Sequence, residues 1–525
     1  KVGGDPNMTN DGTDETPTAD MADDKPFNAY TWKTYAEQLQ AHGITWKVYQ
    51  EFDNFQDNLL ALFKNFRNIQ DKNSPLYRNG RSWVSEHDPN PANRKRSDGK
   101  QLIQAFREDL AADKLPQVSW IVTAADLSEH PKHVPPNGEN ITAQLVEALA
   151  DHPDVFAKTV LIINYDEVGG MFDHVPPPTP PMDARDGYST VSTRGEVKVY
   201  ESHVDNLGRQ PIGLGMRVPA IVVSPWSRGG WVCSEVFDHT STLRFLETRF
   251  GVKAENISDW RRAVCGDMTS SLDFKHPNRN WTSLSLPSTA DYLARVARSS
   301  RGANLILPAE QKPTDQDAQQ RNARALPYVI QANGREGSNG RFILELANMG
   351  SAGAVFHVYD YSDTQGPWRY TLEAGKQHAA SPWARTPASN GYNLAVHSSN
   401  GFYRHFRGEF AANATRVGVT ASYQAARGAI ILSLRNDGAT PRIFHVAQSD
   451  VYALSSGQSR KRRYVVQPGS SARSVWTLSA SDHWYDLSVT LADADNFLYR
   501  FAGHVETGKP SKTDPAIGPM RLQPV

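Results

Sequence analysis

From Tyr30 onward the apolar residues keep one of two periods, and the period changes from segment to segment. Thr31 to Ala41 has helical spacing, and after a turn at Gly43 the stretch Trp46 to Tyr49 reads as a short strand. Asn54 to Arg67 sets Phe55, Leu59, Leu60, Phe63 and Phe66 on one helical face, and Asp98 to Ala112 predicts a further helix. Then come a strand at Val118–Thr123, a helix from Thr142 to about His152, and an apolar run at Thr159–Asn164. That run, like Val218–Ser224 further on, has the composition of a strand covered on both faces. Ser241 to Phe250 closes the series as a helix. Strands alternating with helices predict an α/β domain on a parallel sheet, whose chemistry belongs beyond the C-terminal strand ends. Residues 1 to about 28 are rich in Asp, Thr, Asn and Pro without any period, and read as loop.

Beyond residue 305 the texture changes. A polar linker at 306–324 leads into strand-like sequence that occurs twice. Leu344-Glu-Leu-Ala-Asn348-Met-Gly350 returns as Leu432-Ser-Leu-Arg-Asn436-Asp-Gly438, and Phe356-His-Val358 as Phe444-His-Val446. Tyr370–Gly375 returns as Tyr464–Gly469, Trp383 as Trp476, Tyr392–Val396 as Tyr485–Val489, and Phe402-Tyr-Arg404 as Leu498-Tyr-Arg500. Ordered blocks of this kind predict two tandem antiparallel β-sandwiches, at 325–412 and 413–508, with a tail at 509–525. The α/β domain takes residues 1–305.

Composition adds exclusions. With 56 basic against 57 acidic side chains, the chain offers no bulk electrostatic case for nucleic acid or for an anionic membrane surface. No apolar run approaches the roughly 20 residues that cross a bilayer, so no transmembrane segment is expected. Two cysteines, Cys233 and Cys265, are too few for a disulfide scaffold or a cysteine-rich zinc site. A bridge between them would close a loop of about 30 residues, for roughly 3 kcal/mol. Two buried free thiols fit the sequence as well.

Candidate chemistry collects where strands end. After Asn164 comes Tyr165-Asp166-Glu167-Val-Gly169-Gly170-Met-Phe-Asp173-His174. Adjacent carboxylates followed by two glycines suit a turn that holds a divalent cation against phosphate, or a solvated turn. The strand at 118–123 leads to Asp126-Leu-Ser-Glu129-His130, and the strand at 218–224 to Phe237-Asp238-His239-Thr240-Ser241. Asp238 or Thr240 fits a helix N-cap, which leaves His239 without a capping duty. Trp120, Tyr165 and Trp226 flank the strand ends, either as aromatic faces for a quaternary ammonium or as core.

The stretch Asp166-Glu167-Val-Gly-Gly-Met-Phe-Asp173-His174-Val, with Ser128-Glu-His130-Pro, Gly215-Met-Arg217-Val-Pro219, Ser224-Pro-Trp-Ser227 and Asp238-His239-Thr-Ser, resembles the bacterial phosphoesterase family. That family contains phosphocholine-preferring phospholipases C and an acid phosphatase, on an alkaline-phosphatase-like mixed or parallel sheet. Tyr30-Thr-Trp32 to Tyr49-Gln50 and the C-terminal repeat resemble the phospholipase C branch. The resemblance implies hydrolysis of phosphatidylcholine, with sphingomyelin as a second candidate lipid, to diacylglycerol and phosphocholine through a covalent phospho-enzyme. It implies a divalent metal ion of undetermined identity on Asp166 and Glu167, His130 and His239 at metal and phosphate, and His174 orienting the leaving group or Asp173. It further implies a lipid surface as partner, a secretion chaperone as a partner it leaves open, and export from a bacterial cell by way of the periplasm. The family's N-terminal Glu-Asn metal motif and its nucleophilic Ser or Thr are not visible before Tyr30, so the chain reads as N-terminally incomplete, with its nucleophile unknown. An acid phosphatase of the same family, or an inactive chain that binds lipid through its sandwiches, are the alternative readings.

Overall fold

A computed structural model describes residues 29–52, 54, 57–85, 98–130, 133–167, 173, 175–200, 208–280, 289–298, 309–310, 319–337, 340–362, 366–384, 390–410 and 416–517. The α/β region runs α1 (Tyr35–Ala41), β1 (Trp46–Gln50), α2 (Pro75–Gly80), α3 (Lys100–Ala111), β2 (Val118–Val122), α4 (Pro135–Ala150), α5 (Pro153–Phe156) and β3 (Leu161–Asn164). It continues with β4 (Gly187–Ser189), β5 (Val197–Tyr200), β6 (Gly208–Pro211), β7 (Ala220–Val223), α6 (His239–Phe250), α7 (Asp259–Val264) and α8 (Ala290–Arg298). Local chemistry sets the helix starts. Thr34 and Glu37 form a reciprocal capping box before α1, and Asp238 with Ser241 does the same before α6, which Gly251 ends in the left-handed conformation. Leu102, Ile103, Phe106 and Leu110 of α3 pack against Ile141, Leu145 and Leu149 of α4.

Four expectations change here. Asn54–Arg67 is not a helix: among its described residues it forms two short 3₁₀ turns, Leu59–Leu62 and Lys64–Phe66. The apolar spacing is real, but Leu59 is 52% exposed, so no continuous face meets the core. The helix expected at Thr142 starts at Pro135, because two prolines fit a first turn that needs no N–H donors. Among the described residues the α/β strands form separate two-stranded pieces and not one continuous sheet: β1 and β2 pair in parallel, β3 and β7 antiparallel. Finally, β3 and β7 are only partly covered, and Ile221 is 52% exposed.

Among the described residues, the C-terminal half is built of two copies of seven strands. The first has β9 (Ile330–Glu336), β10 (Phe342–Asn348), β11 (Ala354–Asp360), β12 (Trp368–Leu372), β13 (Gln377–Ala380), β14 (Gly391–His397) and β15 (Tyr403–Glu409), after a two-residue β8 (Asn322–Ala323). The second has β16 (Val417–Gln424), β17 (Ala429–Asn436), β18 (Arg442–Gln448), β19 (Lys461–Val466), β20 (Ser471–Thr477), β21 (Trp484–Leu491) and β22 (Ala494–His504). Order β13-β10-β9 in one copy matches β20-β17-β16 in the other. The equivalent last strands β15 and β22 pair antiparallel, giving the copies a local two-fold relation and one nine-stranded sheet, β19-β18-β21-β22-β15-β14-β11-β12-β4. One hydrophobic cluster runs through both copies, from Phe342, Phe356 and Phe406 to Leu432, Phe444 and Trp476.

The two regions are stitched together. β4 adds in parallel to the edge strand β12. The linker's Asn322–Ala323 pairs with Ser511–Lys512 of the tail, so both segments carry structure. No helix among the described residues is long and apolar enough to cross a membrane.

Candidate functional site

The turn after β3 is a meeting point, bonded on one side to the loop after β2 and on the other to the first turn of α6. On one side the Tyr165 hydroxyl donates to Glu129 Oε2 at 2.9 Å, tying β3 to the loop after β2. Burial and then this bond push the Tyr165 hydroxyl up to about 12, so it remains a proton donor. Glu129 holds a left-handed backbone, with φ of 59°, which a non-glycine residue adopts only under constraint. Gly138 of α4 provides the room, since a Cβ there would lie 2.3 Å from Glu129 Cγ.

On the other side His239 opens α6. The Asn164 side-chain amide donates to its Nδ1 at 2.9 Å, which leaves the Nε2–H to donate to the Asp166 carbonyl at 3.1 Å. Asp166 and Glu167 stand exposed in the same turn, two hard oxygen donors of the kind a divalent cation takes. Among the described residues, no group of three or more His, Cys, Asp or Glu side chains forms a complete metal cage.

The remaining candidates separate. His130 lies in the loop after β2, its ring 6.1 Å from that of His133, while His133 Nδ1 is 3.0 Å from Asp126 Oδ1. Asp173 is held by Arg217, whose Nε and Nη2 donate at 3.0 and 2.9 Å, and this bidentate partner keeps its carboxyl well below the usual range. His174, Gly169 and Gly170 lie outside the described residues. Trp120 packs edge-on to Trp46 at 6.1 Å, and Trp226 sits 5.7 Å from Phe274. Among the described residues, then, Trp120, Tyr165 and Trp226 each face partners other than one another. Cys233 and Cys265 are free thiols in the structure, so the bridge is not formed; burial pushes both up and leaves them protonated and inert.

Sequence reasoning missed Glu129, Asn164 and Arg217 as site-shaping residues. Asn164 had a signal: a polar residue closing an apolar run. Glu129 and Arg217 stood inside the motifs that carry the resemblance, but their partners are distant in the chain, so what they hold could not be read.

Residues 5–253 match the model of the phosphoesterase family, and residues 322–409 and 417–504 each match the bacterial phospholipase C C-terminal domain. Just under half of the chain is thus similar to the phosphoesterase family, and most of the remainder to the C-terminal domains of bacterial phospholipases C. Its similarity extends to a non-hemolytic phospholipase C of Burkholderia pseudomallei, 42% identical over 80% of this chain and 60% of the relative. A hemolytic phospholipase C of Pseudomonas aeruginosa is 39% identical over 79% of this chain and 59% of its own length. The phospholipase C B of Mycobacterium tuberculosis is 44% identical over 33% of this chain. The chain spans about 60% of the length of the first two of these relatives.

Proposed function

We propose that this chain works as part of a secreted bacterial phospholipase C that hydrolyses phosphatidylcholine, and sphingomyelin as a second choline lipid, to release phosphocholine. The observation that carries the reading is the turn after β3, where Tyr165 and Asp166 bond to Glu129 of the loop after β2 and to His239 at the start of α6. Asp166 and Glu167 would hold a divalent metal ion, which supplies a positive charge to polarise a phosphoryl oxygen. His239 would lie beside the phosphate, fixed by Asn164, with His130 on the opposite loop. His174 would orient the leaving group. The lipid would be met at a membrane surface, and Trp120, Tyr165 and Trp226 would be the first aromatics to test for contact with choline.

The tandem C-terminal domains favour this over an acid phosphatase, and they are equally what an inactive lipid-binding chain would keep. The three readings separate on two soluble substrates. Turnover of p-nitrophenyl-phosphorylcholine well above p-nitrophenyl phosphate is the expected result; the reverse order indicates a phosphomonoesterase, and neither indicates a binding protein. Asp166→Ala should lower turnover by at least 10²-fold and reduce bound metal by elemental analysis. Unchanged metal content would remove Asp166 from the ligand set.

A further inference from the structure

Behind His239 lies a fork of charge that the reaction does not touch. Glu196 is fully buried and Arg261 is 5% exposed. Arg261 Nε and Nη2 donate to the two Glu196 oxygens at 2.9 and 3.1 Å, and Nη2 donates to the Gly213 carbonyl at 2.7 Å. Nη1 reaches the other way, to Asp238 Oδ2 at 2.6 Å. Ser258, the N-cap of α7, gives Glu196 a further hydrogen bond at 2.6 Å.

Asp238 spends its oxygens on two tasks. Oδ1 accepts from the Thr240 backbone N–H at 3.0 Å and caps α6, while Oδ2 belongs to Arg261. Capping alone needs one acceptor, and Ser, Asn or Thr supplies it. The second oxygen adds a fixed orientation of the cap, and His239 is the next residue. The fork is anchored outside the α/β region as well. Beside Arg261, the fully buried Trp260 donates its indole N–H to Thr371 Oγ1 of β12 at 3.0 Å, and the Gly353 N–H donates to the Ala263 carbonyl at 2.8 Å.

A buried ion pair is weak evidence for stability, because desolvating the charges offsets much of their attraction. Its geometric consequence is the stronger reading here. We propose that Arg261 is a positioning residue for His239. Pinned by Glu196, it fixes the Asp238 cap and so the first turn of α6, which aims the imidazole at Asn164 and Asp166. Through Trp260 and Thr371 the first β-sandwich becomes part of the support of the site. The inference rests on the reading of His239 as a residue at the phosphate.

The test compares Arg261→Lys and Asp238→Asn in the full chain, since lysine keeps the charge without the fork and asparagine keeps a cap without the carboxylate. Two readouts are taken: the His239 ring signals in NMR, assigned by their loss in His239→Gln, and turnover of p-nitrophenyl-phosphorylcholine. In variants that melt cooperatively, the His239 signals should shift, and kcat should fall about 10-fold or more with KM changed less than about 3-fold, as expected for a misplaced group. His239 signals unmoved in whichever variant folds would overturn the proposal, as would shifted signals with wild-type kcat. Should the wild type show no turnover, the functional reading falls, and the NMR signals still decide whether Arg261 positions His239.

Discussion

The α/β region and the double sandwich solve burial in opposite ways. The sandwich copies share one cluster, and their sheets join across β15 and β22. The α/β region divides its core into separate clusters, one around α3 and α4 and one around β1, and its sheets are two-stranded pieces. Polar groups follow the same contrast. Between the copies they are sealed in: Arg404 donates to the hydroxyls of Tyr423 and Tyr485 at 2.7 and 3.0 Å, and the hydroxyls of Tyr392 and Tyr499 lie 3.1 Å apart. In the turn after β3 they face outward, with Asn164, Asp166 and Glu167 exposed and a few bonds tying the turn to the loop after β2 and to α6. A half with one continuous buried core is thus joined, through Trp260 and β4, to a half whose strand-end groups are exposed.

The largest test of the contrast uses two isoleucines on strands. Ile430 on β17 is fully buried and Ile221 on β7 is 52% exposed. Ile430→Ala should cost about 2 to 5 kcal/mol, with a cavity left in the shared core. Ile221→Ala should stay within about 0.5 kcal/mol. Chemical denaturation monitored by the two regions' tryptophans measures both. Equal costs would mean that β7 is buried in solution and that the contrast is false.

Next in size is the equivalence of the copies. Asn348 donates to the carbonyls of Ala352 and Leu372 at 2.7 and 3.0 Å and accepts from Gly350 N–H at 3.0 Å. Asn436 repeats this with Thr440, Val466 and Gly438 at 2.8, 2.9 and 3.0 Å. Each Asn→Ala leaves buried backbone groups unpaired, for about 1 to 3 kcal/mol. Because the core is shared, both variants should lower the same transition by similar amounts. Two transitions that respond separately would show that the copies unfold independently.

These asparagines explain what the sequence made legible. Asn-x-Gly recurs because each copy needs the same side chain to close the same strand end, so pattern and physics coincide. The last block fails for a physical reason too. Phe402-Tyr-Arg404 matches Leu498-Tyr-Arg500 by letter, yet Tyr403 lies on the outer face and Tyr499 in the core, while Arg404 is buried and Arg500 exposed. A slip of one residue exchanges the faces of a strand, and the register shift after Thr490 lies just upstream. The turn that carries Asp166 and Glu167 was readable because an apolar strand and two adjacent carboxylates follow one another in the chain. The fork of Glu196, Asp238 and Arg261 was not, because its members come from three separate segments: Asp238 reads alone as a helix cap, and Glu196 and Arg261 carry no local signal.

The smallest effect tests whether the seam between copies is as dry as it looks. Glu336 ends β9 beside Phe342, and the Tyr392 hydroxyl donates to its Oε1 at 3.3 Å. Burial pushes its carboxyl up to about 7 from 4.5, against the lowering influence of that bond. A carboxyl raised on folding binds its proton more tightly in the native state. Its stabilising contribution is present below pH 4.5 and is lost as pH rises toward 7. His357 and His405 act in the opposite sense, since burial lowers both to about 4 from 6.5, and their contribution grows as pH rises through that window. Glu336→Gln removes only the first term. The wild type minus the variant should therefore lose about 1 kcal/mol between pH 5 and 8, a figure reduced from the full shift because the carboxyl keeps some solvent contact. Wild type and variant keep the same histidines, so the histidine contribution cancels in this difference and its slope reports on Glu336. A difference that stays flat across this range would place water in the seam and make the two halves of the molecule less unlike than their cores suggest.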